Sequence, residues 1–133
     1  MSVTAQVARE ADPDEVLDAG PPLVEHEDFP FLMSNLPPRR TGLPMIVWVG
    51  PRYGARHDVR VEVRMVPGPK LHPGQLATVA VRPEPRLLHG RLTLRDFELV
   101  LRWIKLNEAA IVEFWDSDGD YDGADFLAVM HRV

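Results

Sequence analysis

The stretch that decides the fold alternates charged and apolar residues over eight positions: Asp58-Val59-Arg60-Val61-Glu62-Val63-Arg64-Met65. Because successive side chains of a β-strand point to opposite faces, this pattern predicts a strand with one apolar face and one polar face. Shorter runs rich in β-branched and apolar residues precede and follow it, separated from it by glycine and proline. We therefore expect three strands, near residues 45–50, 58–66 and 76–82, in a mainly antiparallel sheet.

A helical period follows the predicted strands. Thr93 is a good N-cap residue, and apolar residues then recur at spacings of three and four as far as Trp115. This predicts one long or broken helix over 93–116, and Asp122 can cap a short helix near 123–131. The order indicates an α+β fold: a small three-stranded sheet packed against these two helices, with an extended N-terminal arm.

Charge divides the chain unevenly. The first thirty residues hold eight acidic residues and one base, whereas the rest holds fourteen Lys and Arg against twelve acids. We interpret residues 1–27 as an acidic, largely disordered leader, 28–44 as a proline-rich docking arm and 45–133 as the α+β domain. We expect Phe29–Leu36 to dock on the domain, because burying each large apolar side chain is worth about 1.5–3 kcal/mol.

The predicted long helix has a second apolar stripe, formed by Leu99, Trp103 and Leu106. A helix that is apolar on two faces is covered twice, and the sheet is one cover. The other is the arm, the C-terminal helix or a second copy of the chain. We expect a monomer if the chain covers its own stripe, and a homodimer through these three residues if it does not.

Composition excludes several classes of protein. The chain has 133 residues and no cysteine, and it lacks the apolar run of about 18 residues that a membrane span needs. Without cysteine there is no disulfide, thiolate metal site or cysteine nucleophile, which fits a reducing compartment. We expect one cytoplasmic domain with no membrane contact and no cofactor.

The polar face of the predicted sheet is a candidate binding surface. Strand alternation places Trp48, Arg60, Arg64 and Arg82 on it, and arginines interleaved with tryptophan are typical of nucleic-acid and peptide platforms. The alternative is a solvated face with cross-strand ion pairs. Nucleic acid is not favoured, because the net positive charge of the domain is small.

A catalytic alternative uses the end of the same strand. His57 is a candidate proton donor or acceptor, and Arg56 and Arg60 are candidates for stabilising a phosphate, as in a ribonuclease-type toxin. Neighbouring residues of a strand point to opposite faces, so an acid–base pair between His57 and Asp58 is not implied. We favour the absence of any catalytic residue.

The acidic turn at 116–123 is the candidate metal site. Asp118, Asp120 and Asp122, followed by Gly123, match the first half of a calcium loop. The position that would supply a bidentate glutamate is Val129, so a complete calcium-binding hand is not expected. A weak calcium-binding module is one alternative, and a solvated turn that caps the next helix is the other.

Three segments occur together in an arrangement known from other proteins: Gly42–Pro44, Ala55–Val61, and Arg102–Asn107 followed by Phe114–Asp116. In them the chain resembles a family of small uncharacterised bacterial proteins, common in proteobacteria and mobile elements. That family is distantly similar to a group encoded beside antitoxin-like partners. The resemblance covers residues 42–133 and implies a partner encoded by a neighbouring gene. We therefore expect a protein-interaction module without catalytic activity, in a toxin–antitoxin-like or mobile-element operon.

Overall fold

The computed structural model describes residues 12–24, 33–66 and 75–133. The described strands are β1 (Val16–Asp18), β2 (Leu23–Val24), β3 (Ser34–Leu36), β4 (Val47–Val49), β5 (Arg60–Arg64), β6 (Gln75–Ala80), β7 (Arg86–His89) and β8 (Arg91–Thr93). The described helices are α1 (Pro38–Thr41), α2 (Leu94–Asp116) and α3 (Gly123–Val129). The expected α+β class, the antiparallel sheet, the long helix and the short C-terminal helix are confirmed.

The larger sheet is an antiparallel meander in which β3, β4, β5, β6 and β7 pair in chain order. β2 pairs with the start of β6, on the edge that β7 also uses. The prediction of a three-stranded sheet was therefore wrong, since five strands lie along the path β2-β6-β5-β4-β3 and β7 is added to β6. The missed strands have two to four residues, which is too short for alternation to be recognised.

A second, two-stranded sheet joins the predicted leader to the start of α2. β1 pairs with β8 in antiparallel register, with Val16 opposite Thr93 and Asp18 opposite Arg91. The backbone of Gly90, bonded to Ala19 and Gly20, extends this pairing. No strand was predicted here, because β1 has only two apolar residues, Val16 and Leu17, among acidic neighbours. The boundaries of leader, arm and domain stay predictions, and residues 1–11 and 29–32 lie outside the described residues.

The apolar core lies between the larger sheet and α2. Val61 and Val63 of β5 point toward α2 and are fully buried, as the alternating sequence predicts. The opposite face of β5 is also buried, with Glu62 only 3% and Arg64 only 6% exposed. The sequence predicted a strand buried on one face, so the main difference is that the polar face lies inside the molecule.

α2 is one unbroken helix of 23 residues whose N-terminus is capped as predicted, with the Thr93 hydroxyl accepting a hydrogen bond from the Asp96 amide at 3.1 Å. α3 lies across it and covers part of the second apolar stripe. Phe126 of α3 is fully buried, and its ring lies 6.2 Å from that of Trp103 and 5.9 Å from that of Phe114. Trp103 is therefore a core residue.

Asn107, a buried polar residue of α2, ties the segment after α3 to the helix. Its Nδ2 donates to the carbonyls of Trp103 and His131, both at 2.9 Å, and its Oδ1 accepts from the His131 amide at 2.6 Å. The side-chain amide thus pairs with His131 as a neighbouring strand would. Further along, the Val133 amide donates to the carbonyl of Thr41 at 2.9 Å.

We expect Asn107→Ala to destabilise the protein by about 2–3 kcal/mol, because it leaves both backbone groups of His131 without their partner. The free energy of unfolding in urea measures this loss. Asn35→Ala is the matched control, since Asn35 is exposed on β3, and it should change stability by less than about 0.5 kcal/mol. Equal effects of the two substitutions would contradict a clamping role for Asn107.

Candidate functional site

A row of side chains crosses the larger sheet on the face that points away from α2. Antiparallel pairing aligns one residue of each of five strands across it: Asn35, Trp48, Glu62, Thr78 and His89. Partners that lie directly opposite each other share a face of the sheet. The row is exposed at Asn35, half-buried at His89 and buried at the three positions between them.

Glu62 lies at the centre of this row and is its buried charge. The Thr78 hydroxyl donates to Glu62 Oε2 at 2.8 Å, and Arg60 Nε lies 3.2 Å from Oε1. Among the described residues Oε1 accepts no well-aligned hydrogen bond, so the contact with Arg60 is ionic. Burial raises the pKa of Glu62 above its ordinary value, although Arg60 and Thr78 both act to lower it.

A buried carboxyl group with a raised pKa is common in catalytic acids and bases, and also in structural polar networks. The surroundings of Glu62 support the structural role. Trp48 is buried beside it on β4, and Arg64 is buried two positions along β5. A side chain so enclosed has no surface to offer a substrate in this conformation.

The four residues of the predicted binding surface have two different environments in the structure. Trp48 and Arg64 lie within the molecule, whereas Arg60 and Arg82 remain partly exposed. Arg82 binds Asp58 through two nitrogens, with Nε 3.0 Å from Oδ2 and Nη2 2.9 Å from Oδ1. The hydrogen bond from Arg82 is the main reason that the pKa of Asp58 lies below its ordinary value. The use of this face for binding stays a prediction.

The ribonuclease candidates lie in the loop between β4 and β5. The ring of His57 packs against Trp115 of α2, with 5.4 Å between centroids, and its Nδ1 lies 2.8 Å from the Asp58 carbonyl. Arg56 is exposed beside it. Arg60 instead points along β5 to Glu62, so in the described part of the chain no contact joins His57 to Arg60.

The acidic turn is organised by contacts within the protein. Asp118 accepts a hydrogen bond from the Tyr53 amide at 3.1 Å. Asp122 caps α3 as predicted: it accepts from the Asp125 amide at 2.8 Å, and the Asp125 carboxylate accepts from the Asp122 amide at 3.0 Å. Asp120 is exposed. Within the described ranges no three acidic or histidine side chains converge as metal ligands do, and calcium binding by Asp118, Asp120 and Asp122 stays a prediction.

The three residues of the second helix stripe have different surroundings. Leu99 is half-buried, Trp103 is covered by α3, and Leu106 is 49% exposed. A homodimer through all three would therefore require α3 to move away from Trp103. Of the stripe, Leu106 is the residue that the fold leaves most accessible.

Leu106 borders an open groove of about 270 Å³ between α2 and the C-terminal segment. The groove is lined by Leu106, Asn107, Ala109, Ala110, Glu113, Val129 and His131. Val129 is 51% exposed, so large apolar side chains border the groove on both sides. Sequence analysis missed this surface, because the Asn107 clamp brings Val129 and His131 beside α2 and no local pattern reports such a contact.

Comparison with known proteins identifies no relative of this chain. No family model matches the chain, and neither curated proteins nor solved structures give a significant match. Within residues 12–24, 33–66 and 75–133, no helix combines the length and the apolar character of a membrane span. The resemblance to small bacterial operon proteins therefore stays a proposal.

The raised pKa of Glu62 predicts how stability depends on pH. The folded protein binds a proton at the Glu62 carboxyl group more tightly than the unfolded chain does. The contribution of Glu62 to the stability of the fold is therefore most favourable below the ordinary glutamate pKa. It is lost as the pH rises from that ordinary value through the raised one. We expect Glu62→Gln to lose less stability than the wild type over this interval.

Urea unfolding from about pH 4 to pH 8 measures the effect. Glu84→Gln is the matched control, since Glu84 lies in an exposed turn, and its profile should follow that of the wild type. Parallel profiles for Glu62→Gln and the wild type would show that Glu62 does not titrate differently in the folded protein.

Proposed function

We propose that the protein is a non-catalytic interaction module that binds a protein partner through the exposed side of α2 and the adjoining groove. The observation that carries the proposal is the groove itself, where Leu106 and Val129 are both about half exposed. Exposed apolar side chains that border a concave surface are typical of protein–protein contacts. Charged residues of α2 surround them and supply the polar rim that such contacts have.

The arrangement of the catalytic candidates supports this proposal over an enzyme. The side chains of Asp58 and Arg82 bind each other, and Arg60 is paired with Glu62. General acid–base catalysis needs a donor or acceptor within hydrogen-bond reach of the substrate and a partner that orients it. His57 bonds to a neighbouring backbone carbonyl and packs on Trp115, so the described contacts supply no carboxylate to orient its ring.

The proposal also concerns the genetic context of the protein. The resemblance of residues 42–133 to small bacterial proteins supports a role in a toxin–antitoxin-like or mobile-element operon, with the partner encoded by a neighbouring gene. A binding surface on one long helix suits such a role, because an amphipathic partner helix can lie along it.

Nucleic-acid binding is the second candidate function, and one observation favours it. Arg52, Arg56 and His57 are exposed in one loop, and the described ion pairs involve neither Arg52 nor Arg56. Such a loop can contact phosphates. The steep loss of affinity with rising salt that phosphate contacts produce separates this candidate from protein binding.

Site-specific photo-crosslinking in cells tests the proposed surface. A photo-reactive amino acid at position 102, which is exposed on α2 one turn before Leu106, should crosslink to a protein, and one at position 84 should not. Leu106→Glu should reduce the crosslink at least about fivefold, because a charge on the apolar border opposes burial. Val66→Glu is the matched control, since Val66 is 59% exposed and lies outside α2, just after β5.

The same purified protein should neither bind nor cleave RNA at physiological salt. Cleavage that His57→Ala abolishes, together with no crosslink at position 102, would reject the module in favour of the ribonuclease. A calorimetric titration with calcium tests the third candidate, and heat that Asp120→Asn removes would establish a cation site in the acidic turn.

A further inference from the structure

From residue 102 to residue 116, the exposed side of α2 carries its charges in two blocks, and Glu98 is exposed on the same side one turn before them. Arg102 and Lys105 form the first block, and Glu113 and Asp116 form the second. All four are exposed, and they lie on one side of the helix because positions separated by seven residues nearly superimpose. Ala109, a small exposed residue, lies midway between the blocks.

This order of charges does not stabilise α2 as an isolated helix. The last turn contains Asp116 and no basic residue, although the negative end of the helix dipole favours basic side chains there. Glu113 and Asp116 have no basic residue three or four positions away on α2, so the helix provides them with no ion pair of its own. Outside the helix, Arg82 interacts electrostatically with Asp116, and a positive partner surface would add favourable contacts for both acidic side chains.

We propose that the partner on this surface is a second copy of the chain, with the two α2 helices antiparallel about a two-fold axis at Ala109. This inference rests on the proposed function, and it names a second copy, in place of the product of a neighbouring gene, as the occupant of the same surface. The antiparallel register sets Lys105 against Glu113 of the partner subunit, and Arg102 against Asp116 of the partner subunit. Symmetry repeats each pair, so four ion pairs border one contact.

The apolar residues fit the same register. Ala109 lies against Ala109 of the partner subunit, and its small side chain permits the helices to approach closely. Leu106 then lies level with residues 112 and 113 of the partner subunit, next to the groove that Val129 borders. Each copy therefore covers the exposed leucine of the other. The buried Trp103 takes no part, so α3 stays in place, unlike in a dimer through the whole stripe of Leu99, Trp103 and Leu106.

Sedimentation equilibrium of the full chain over a range of protein concentrations tests the proposal. The wild type should show a monomer–dimer equilibrium that weakens as salt rises, because the ion pairs at the border are screened. Lys105→Glu and Glu113→Lys should each raise the dimer dissociation constant about tenfold or more, since each places like charges together at two symmetric positions. The double variant restores opposite charges and should return close to the wild type.

Glu84→Lys is the matched control, because it makes the same charge change as Glu113→Lys in an exposed turn outside α2. Its dissociation constant should equal that of the wild type. All these positions are exposed, and circular dichroism should show unchanged folding in every variant.

The outcomes separate this inference from the proposed function. A crosslink at position 102 that gives twice the mass of 15.0 kDa supports the dimer. A monomer at every concentration, with a crosslink at position 102 to a different protein, overturns the dimer and leaves the interaction module standing. A monomer with no crosslink overturns both, and a dimer unaffected by either single variant places the interface elsewhere.

Discussion

The pairing of β5 with β6 is the constraint on which the rest of the structure depends. Five consecutive residue pairs join them, from Arg60 opposite Ala80 to Arg64 opposite Leu76. Because side chains alternate across this ladder, one register directs the valines toward α2 and places Glu62 beside Thr78 on the other face. A slip of one residue would exchange the two faces and bury the arginines in the apolar core. The register therefore determines both the core and the polar row.

The row of side chains across the outer face of the larger sheet adds specific polar contacts to an otherwise apolar interior. A carboxyl group so deeply buried costs stability unless its partners are well placed, and Glu62 has Thr78 at one oxygen and Arg60 at the other. Asn107 acts similarly at the far side of the core, where it replaces a missing backbone partner of His131. Glu62 and Asn107 each fix the relative position of neighbouring elements, which apolar packing alone would allow to shift.

The elements with the strongest local patterns could be predicted from the sequence, and those built by distant contacts could not. The alternation of Asp58–Met65, the caps at Thr93 and Asp122, and the helical period of α2 are local signals, and each appears in the structure. β1 and β2 are too short to show a pattern and exist because β8 and β6 offer open edges. The burial of Trp48 and Arg64 also eluded prediction, since alternation tells which residues share a face and not whether that face meets water.

The connectivity of the meander has a consequence for how the molecule gains and loses its structure. Strands β3 to β7 each pair with the next in the chain, so their contacts close short loops at a small entropic cost. β1 and β2 pair with strands far along the chain and through two or three residues each. We therefore expect both strands to join late in folding and to open first under native conditions, because their local stability is low. Amide hydrogen exchange should therefore be slow in strands β3 to β7 and fast in the N-terminal strands β1 and β2.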